Sequence, residues 1–230
     1  MPGAINALKG GLIVSCQALE NEPLHSSMIM GRMAYAAVLG GAKGIRANSF
    51  EDIVEIKKVV GVPVFGIVKR GYKDSDIYIT PTMREIDELV AAKTDIISLD
   101  ATNRIRPGNK TLEAFVSEIR AKYRNITLMA DISIYEEGIH AYDMGFDMVS
   151  TTLSGYTPYS PQFETPDFKL IERLSKRLPI PVVAEGRIWV REEAVKAFDS
   201  GAYAVVVGTA ITRPMEITRR FVKAIESAEK

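Results

Sequence analysis

Residues 181–214, PVVAEGRIWVREEAVKAFDSGAYAVVVGTAITRP, hold two short β-branched runs, PVVAEG (181–186) and AVVVG (204–208), on either side of one stretch of helical length, REEAVKAFDSG. Both runs are almost continuously apolar, as a strand covered on both faces must be, and each stops at a glycine. Run, amphipathic crossover and run make one βαβ unit of a parallel sheet. The same unit recurs back to the start of the chain. GLIVSC (11–16), KGIRA (43–47), VPVFGIV (62–68), DIISLD (95–100), ITLMAD (126–131) and DMVSTT (147–152) bring the runs to eight. Strand starts at Lys43, Asp95, Asp147 and Ala204 are 52, 52 and 57 residues apart, about two βα units each.

The helical stretches fit the same frame. In SFEDIVEIKKVV, Ser49 reads as the N-cap with Asp52 three residues on, and Ile53, Ile56, Val59 and Val60 as the buried stripe. TMREIDELVAAK, KTLEAFVSEIRAKY, SIYEEGIHAYDMG, DFKLIERLSKRL and MEITRRFVKAIE are read as further helices separating the strands. Met28, Met30 and Met33, in the first helix, are read as core filling. The longest candidate loop is SGYTPYSPQFETPD at 154–167, and no linker divides the chain, so residues 1–230 are read as one domain. Eight strands with helical crossovers in a chain near the usual ~250-residue size predict an α/β fold, a closed (β/α)8 TIM barrel. An open doubly wound sheet is the alternative.

Composition excludes several function classes. Lys plus Arg and Asp plus Glu each number 29, so no long-range field gathers nucleic acid or an anionic membrane. One cysteine, Cys16, closes no intrachain disulfide and reads as a buried thiol, and His25 and His140 alone assemble no zinc-type cluster. The start of the chain lacks a basic segment followed by a long apolar core, and GGLIVSC is too short to span a bilayer. The expectation is a cytoplasmic protein without metal or other cofactor. Its partner is a small molecule, not nucleic acid or membrane, and at most a second copy of the chain as a homodimer.

A (β/α)8 barrel builds its active site at the C-terminal ends of its strands. Gln17, Arg46, Lys69, Asp100, Asp131, Thr151 with Thr152, Glu185 and the turn Gly208-Thr209 all fall there. Taken singly, each is as readily a turn former or a rim ion pair; together they converge on one concave region. Gly186 and Gly208 follow the last two strands, where barrels often hold phosphate on backbone amides, with Arg187 and Arg213 beside them. Lys69 is a candidate base: burial and neighbouring Arg70 would lower its pKa, while pairing with Glu185 would raise it. TLSGYT lacks the strand–Ser–helix context of a nucleophile elbow, and Trp189 reads as a packing or rim aromatic.

Several long stretches are specific beyond this pattern. CQALENEPLHSSMIMGRMAYAAVLGGAKGIRAN, VKRGYKDSDIYITPT, LDATNRIRP, LMADIS, TTLSGYT and AEGRI…VVVGTAITRP together resemble the N-acylglucosamine-6-phosphate 2-epimerase family, from about Gly11 to Thr218. WVREE after AEGRI departs from that family's usual polar, Pro-containing helix start. The resemblance implies a cofactor-free bacterial enzyme of sialic acid salvage that interconverts N-acetylmannosamine 6-phosphate and N-acetylglucosamine 6-phosphate. It implies Lys69 as catalytic lysine and Glu185 as catalytic carboxylate, with Gln17, Arg46, Asp131 and Arg213 on the substrate. Asp131 would fix a hydroxyl; Thr152, Gly186, Arg187, Gly208 and Thr209 complete the expected substrate-binding set. Two other readings stay open: a Schiff-base aldolase or lyase using the same lysine, and a non-catalytic phosphosugar-binding barrel.

Overall fold

The structure is a computed structural model, and it describes residues 2–228. Eight parallel strands pair in sequence order and close, with β1 (Gly11–Cys16) beside both β2 (Gly44–Asn48) and β8 (Ala204–Val207). Between these lie β3 (Val64–Ile67), β4 (Ile96–Asp100), β5 (Leu128–Asp131), β6 (Met148–Ser150) and β7 (Val182–Glu185). The outer ring is α2 (Ser27–Leu39), α3 (Phe50–Val59), α4 (Met83–Ala91), α5 (Leu112–Lys122), α6 (Tyr135–Asp143), α7 (Phe168–Arg177) and α8 (Arg191–Asp199). Before β1 comes α1 (Pro2–Ala7), and after β8 the short α9 (Thr209–Thr212) leads into α10 (Pro214–Ala228). The closed barrel is therefore the fold, and the open sheet is set aside.

The alternation of side chains along each strand sorts the apolar residues into two layers. Ile13, Phe65, Ile96, Met129, Met148, Val183 and Val206 fill the interior, and Leu8, from the turn after α1, packs with them with no exposure at all. Outward residues such as Val14, Ile45, Val64, Ile97 and Leu99 pack under the helices. All eight predicted runs are strands, with several trimmed at the ends. The aspartates that open two of those runs serve as fasteners instead. Asp95 accepts a hydrogen bond from the Val64 N–H (2.9 Å) and pairs with Lys57 (2.6 Å). Asp147, 52 residues on, accepts one from the Leu128 N–H (2.8 Å) and pairs with Arg120 (3.1 Å). One device repeated at one spacing thus pins the start of β3 from β4 and the start of β5 from β6.

Helix starts follow their capping chemistry. The Ser49 hydroxyl accepts from the Asp52 N–H (3.2 Å), and Glu85 folds back onto the Thr82 N–H (2.8 Å) in a capping box. Three expectations are corrected. In α3 the buried stripe is Ile53 and Ile56: Val59 ends the helix 36% exposed, and Val60 has left it for extended backbone. In α2, Met30 is buried and Met33 packs on the core, but Met28 is 64% exposed because it lies in the helix's first turn, on the solvent side. MEITRRFVKAIE separates no strands; it forms α10 after the last strand, and this 15-residue helix buries none of its residues. Met215, Phe221, Val222 and Ile225 are 43–68% exposed there.

Candidate active site

A cavity of about 300 Å³ opens at the C-terminal ends of the strands, lined by charged and hydroxyl side chains from the ends of β1, β2, β3, β6, β7 and β8 and by the glycines of the last two turns. Its central cation is Arg46, on β2, which is 1% exposed. Two carboxylates reach it from other strands. Asp131 takes both terminal nitrogens, one at 3.0 Å, and Glu185 takes Nη1 at 2.7 Å. The Thr152 hydroxyl lies 2.7 Å from Asp131 Oδ1 and 3.1 Å from Glu185 Oε2. Burial alone would lower the Arg46 pKa, but Asp131 and Glu185 more than reverse that, so the guanidinium stays charged. Burial also raises the Glu185 pKa; Arg46 opposes the rise and Asp131 adds to it.

Lys69 follows β3, and its backbone N–H is held by the Asn48 side chain at 2.8 Å. Its ammonium has no hydrogen bond or ion pair among the described residues. Burial lowers its pKa to about 8, helped by Arg213 and Arg46 and opposed by Glu185 and Glu22. Both opposing effects expected from the sequence are present, and desolvation wins, although the cations that assist it are Arg213 and Arg46. Arg70 points away, into an ion pair with Glu85 and Glu88. The lysine is thus partly neutral near neutral pH and faces open space, the state a proton acceptor needs.

Gln17 donates to the Ser15 hydroxyl (2.8 Å), and its carbonyl oxygen is buried without a hydrogen-bond partner among the described residues. At the far side, Gly186 (φ +106°), Gly208, Thr209 and Arg213 line the cavity as expected. The first turn of α9 leaves its leading N–H groups without intrahelical acceptors. Arg213 meets Glu22 at 2.9 Å, and Glu22 also accepts from the Leu19 N–H (2.7 Å).

Three strand-end residues, Asp131, Asp100 and Thr151, stand behind the cavity rather than on it. Asp131, expected to fix a substrate hydroxyl, is fully buried under Arg46, holds that guanidinium and does not line the cavity. Asp100 is closed off by Thr102 and Arg104. Thr151 bridges β6 to β7, donating to the Glu185 carbonyl at 3.0 Å. Arg187 lines the cavity, but its guanidinium is spent on the carbonyls of Ser154 (2.5 Å) and Gly155 (2.7 Å) and stacks on the Tyr156 ring. The close approach needs Gly155: a Cβ there would lie 2.6 Å from the guanidinium.

Sequence reasoning missed Ser15, Tyr78, Ile79, Tyr156 and the apolar floor. Tyr78 and Ile79 arrive on a hairpin that leaves β3 at Lys69 and returns at Ile79, with Lys69 and Ile79 bridged; the alternation in DIYIT was its one signal. Trp189 does line the rim, with Arg220 of α10 over its ring at 3.8 Å. No group of three or more His, Cys, Asp or Glu suited to a metal ion occurs among the described residues.

Comparison with known proteins is consistent along nearly the whole chain. A family model described as "Putative N-acetylmannosamine-6-phosphate epimerase" matches residues 30–227. A relative from Caldanaerobacter subterraneus subsp. tengcongensis, described as "Putative N-acetylmannosamine-6-phosphate 2-epimerase", is 60% identical over 96% of this chain and 94% of its own. One of the same description from Clostridioides difficile is 59% identical over 96% and 99%. The solved N-acetylmannosamine-6-phosphate 2-epimerase from Clostridium perfringens superposes with a TM-score of 0.92 at 57% identity, covering 96% of this chain and 95% of that one. A thiamine phosphate pyrophosphorylase from Pyrococcus furiosus, at 17% identity and a TM-score of 0.64, shares the fold alone.

Proposed function

Because this chain belongs to the N-acetylmannosamine-6-phosphate epimerase family, we propose that Lys69 and Glu185 invert C2 of an N-acetylhexosamine 6-phosphate at the mouth of its barrel. The protein is a carbohydrate 2-epimerase acting on an amino sugar phosphate. Inversion of C2 requires removal of a weakly acidic proton beside the open-chain aldehyde and its return on the other face. Neutral Lys69 takes the C2 proton, and the electron pair moves into the C1–C2 bond, placing negative charge on O1; once the intermediate has turned over, the Lys69 ammonium returns a proton to the other face of C2. Glu185, protonated more readily because of its burial, gives a proton to O1 and takes it back as the carbonyl reforms. Arg46, kept charged by Asp131, holds the oxygens where charge develops, and Gln17 offers its free carbonyl oxygen to a substrate N–H or O–H. The single observation that carries this reading is the unpaired, depressed-pKa amine of Lys69 in the cavity.

The test is proton NMR of N-acetylmannosamine 6-phosphate with the protein in D2O, chelator present and nicotinamide absent. The product should gain deuterium at C2. Turnover that depends strictly on added nicotinamide would refute proton abstraction, and borohydride trapping of Lys69 without C2 exchange would favour the imine-forming lyase.

In this reading the phosphate sits against Gly186, Gly208, Thr209 and Arg213, which line the cavity at the last two strand ends. Binding energy from this remote group aligns C2 with its base. Arg213→Ala should therefore lower kcat/KM for the phosphorylated sugar by on the order of 10²-fold, while changing the weak activity on unphosphorylated N-acetylmannosamine little. Equal losses on both sugars would make Arg213 a structural partner of Glu22.

A second copy is proposed to cover α10. A 15-residue helix with Ile217, Phe221 and Ile225 four residues apart presents an apolar stripe, yet none of its residues is fully buried within its own chain, and Phe221 and Ile225 are exposed. Light scattering should give about twice the 25.4 kDa chain mass, and Phe221→Glu should return it to the monomer. A monomeric wild-type protein would remove this reading. No described helix is long and apolar enough to cross a membrane. A reducing cytoplasmic setting suits a chain whose one cysteine is an unpaired buried thiol, pushed up to about 12 by burial and then by Asp52.

A further inference from the structure

Ile67, Ile79 and Leu153 form an apolar cluster of their own, separate from the barrel interior and from the layer under the helices. They are 1%, 3% and 2% exposed, and all three line the catalytic cavity, whose other lining is mainly polar. A floor of this kind needs a use, because a polar ligand gains nothing from it.

Its position relative to the chemistry is informative. In a closed barrel of eight strands in sequence order, β3 lies four strands from β7 and so across the axis from it. Ile67 ends β3, Lys69 follows two residues later, and Ile79 is bridged to Lys69 on the returning arm of the hairpin. Leu153 reaches the same cluster from the end of β6. The phosphate seat is at the β7 and β8 turns, so a sugar held there by its 6-phosphate extends toward β3 with C2 at Lys69. C2 carries the N-acyl group, and that group must lie beside the base that takes the C2 proton.

We propose that Ile67, Ile79 and Leu153 seat the methyl group of the N-acyl substituent and so set which acyl chains the enzyme accepts. This rests on the epimerase reading above. Tyr78 and Tyr156, 41% and 56% exposed, line the same cavity as the three buried aliphatic side chains. On this proposal an acetyl methyl is covered by the three aliphatic side chains, and a longer acyl chain is accommodated only when one of them is shortened. A methyl-sized difference in a hydrophobic seat is worth roughly 10-fold or more in discrimination.

The test compares kcat/KM for N-formyl, N-acetyl and N-butanoyl mannosamine 6-phosphates. Wild-type protein should prefer acetyl over formyl by roughly 10-fold, chiefly through KM, which needs no variant to fold. Ile79→Ala and Leu153→Ala, each checked by circular dichroism, should shift the acetyl-to-butanoyl ratio toward butanoyl by about 10-fold or more. Indifference of the wild type to the formyl–acetyl exchange overturns the proposal. Equal losses on all three substrates in the variants overturn it too, because they would assign the floor to the sugar's carbon face. In both cases epimerisation of the acetyl substrate by the wild type leaves the underlying reaction standing, whereas its absence brings down both.

Discussion

Lys69→Ala is expected to leave a folded barrel that binds its substrate and epimerises it at least 10²-fold more slowly than the wild type. The side chain makes no hydrogen bond or ion pair among the described residues, so its removal strands no partner, and what is lost is the amine itself. The same amine sets the pH dependence. Its folded pKa is about 8, below the ordinary 10.5, and the active form is the neutral one. The rate should therefore rise with pH through about 8 and level off above it, until another group intervenes. Arg213 contributes to that depression, so Arg213→Ala should move the rising limb toward higher pH. A well-folded Lys69→Ala protein with near wild-type turnover, or a rate flat between pH 6 and 9, would place the base elsewhere.

Asp131→Ala should have the largest effect on stability. Arg46 and Asp131 are 1% and 0% exposed, and the aspartate takes both terminal nitrogens of the guanidinium. Removing the carboxylate leaves a buried cation with Glu185 as its one remaining charged partner, a change that costs about 3–5 kcal/mol. For a chain of this size the melting temperature should fall by roughly 10 °C. Asp131→Asn, which keeps the shape and one acceptor, should fall less. Activity should drop in both, because Arg46 would no longer be held against the sugar. Chemical denaturation showing a loss under about 1 kcal/mol for Asp131→Ala would mean that Glu185 and solvent compensate for the missing carboxylate.

The fold was legible because barrel strands are buried on both faces, which writes them into the chain as runs such as VPVFGIV and AVVVG that need no partner to be recognised. Lys69, Glu185, Arg46 and Gln17 were legible for a related reason: a polar residue that ends such a run has only the barrel mouth to face. What was not legible depends on which strand ends meet. Asp131 and Glu185 look alike in sequence, and only closure of the barrel puts one beneath Arg46 and the other beside it at the cavity. Arg187 reads as a second phosphate cation until the loop at 154–155 is seen to take both of its nitrogens. Glu22 lies 191 residues from Arg213, and no periodicity brings them together. Tyr78 and Ile79 depend on a hairpin whose turn is made of charged residues, so no apolar run announced it. The solitary helix at the end of the chain carries a sequence like the others, and amphipathicity alone does not say whose surface an apolar face meets.

The aspartate fasteners at Asp95 and Asp147 belong to the end of the barrel away from the cavity, at the starts of the strands. Their bonds tie neighbouring strand beginnings to each other and to the helices before them, and none reaches the hairpin at 69–79 or the loop at 154–167. The strand starts are therefore held by ion pairs of their own, at the rim opposite the Arg46–Asp131 pair that braces the substrate end. A substitution at Asp95 or Asp147 should loosen the strand starts without altering any residue that lines the cavity, and a substitution at Ile79 should alter the lining without touching either fastener.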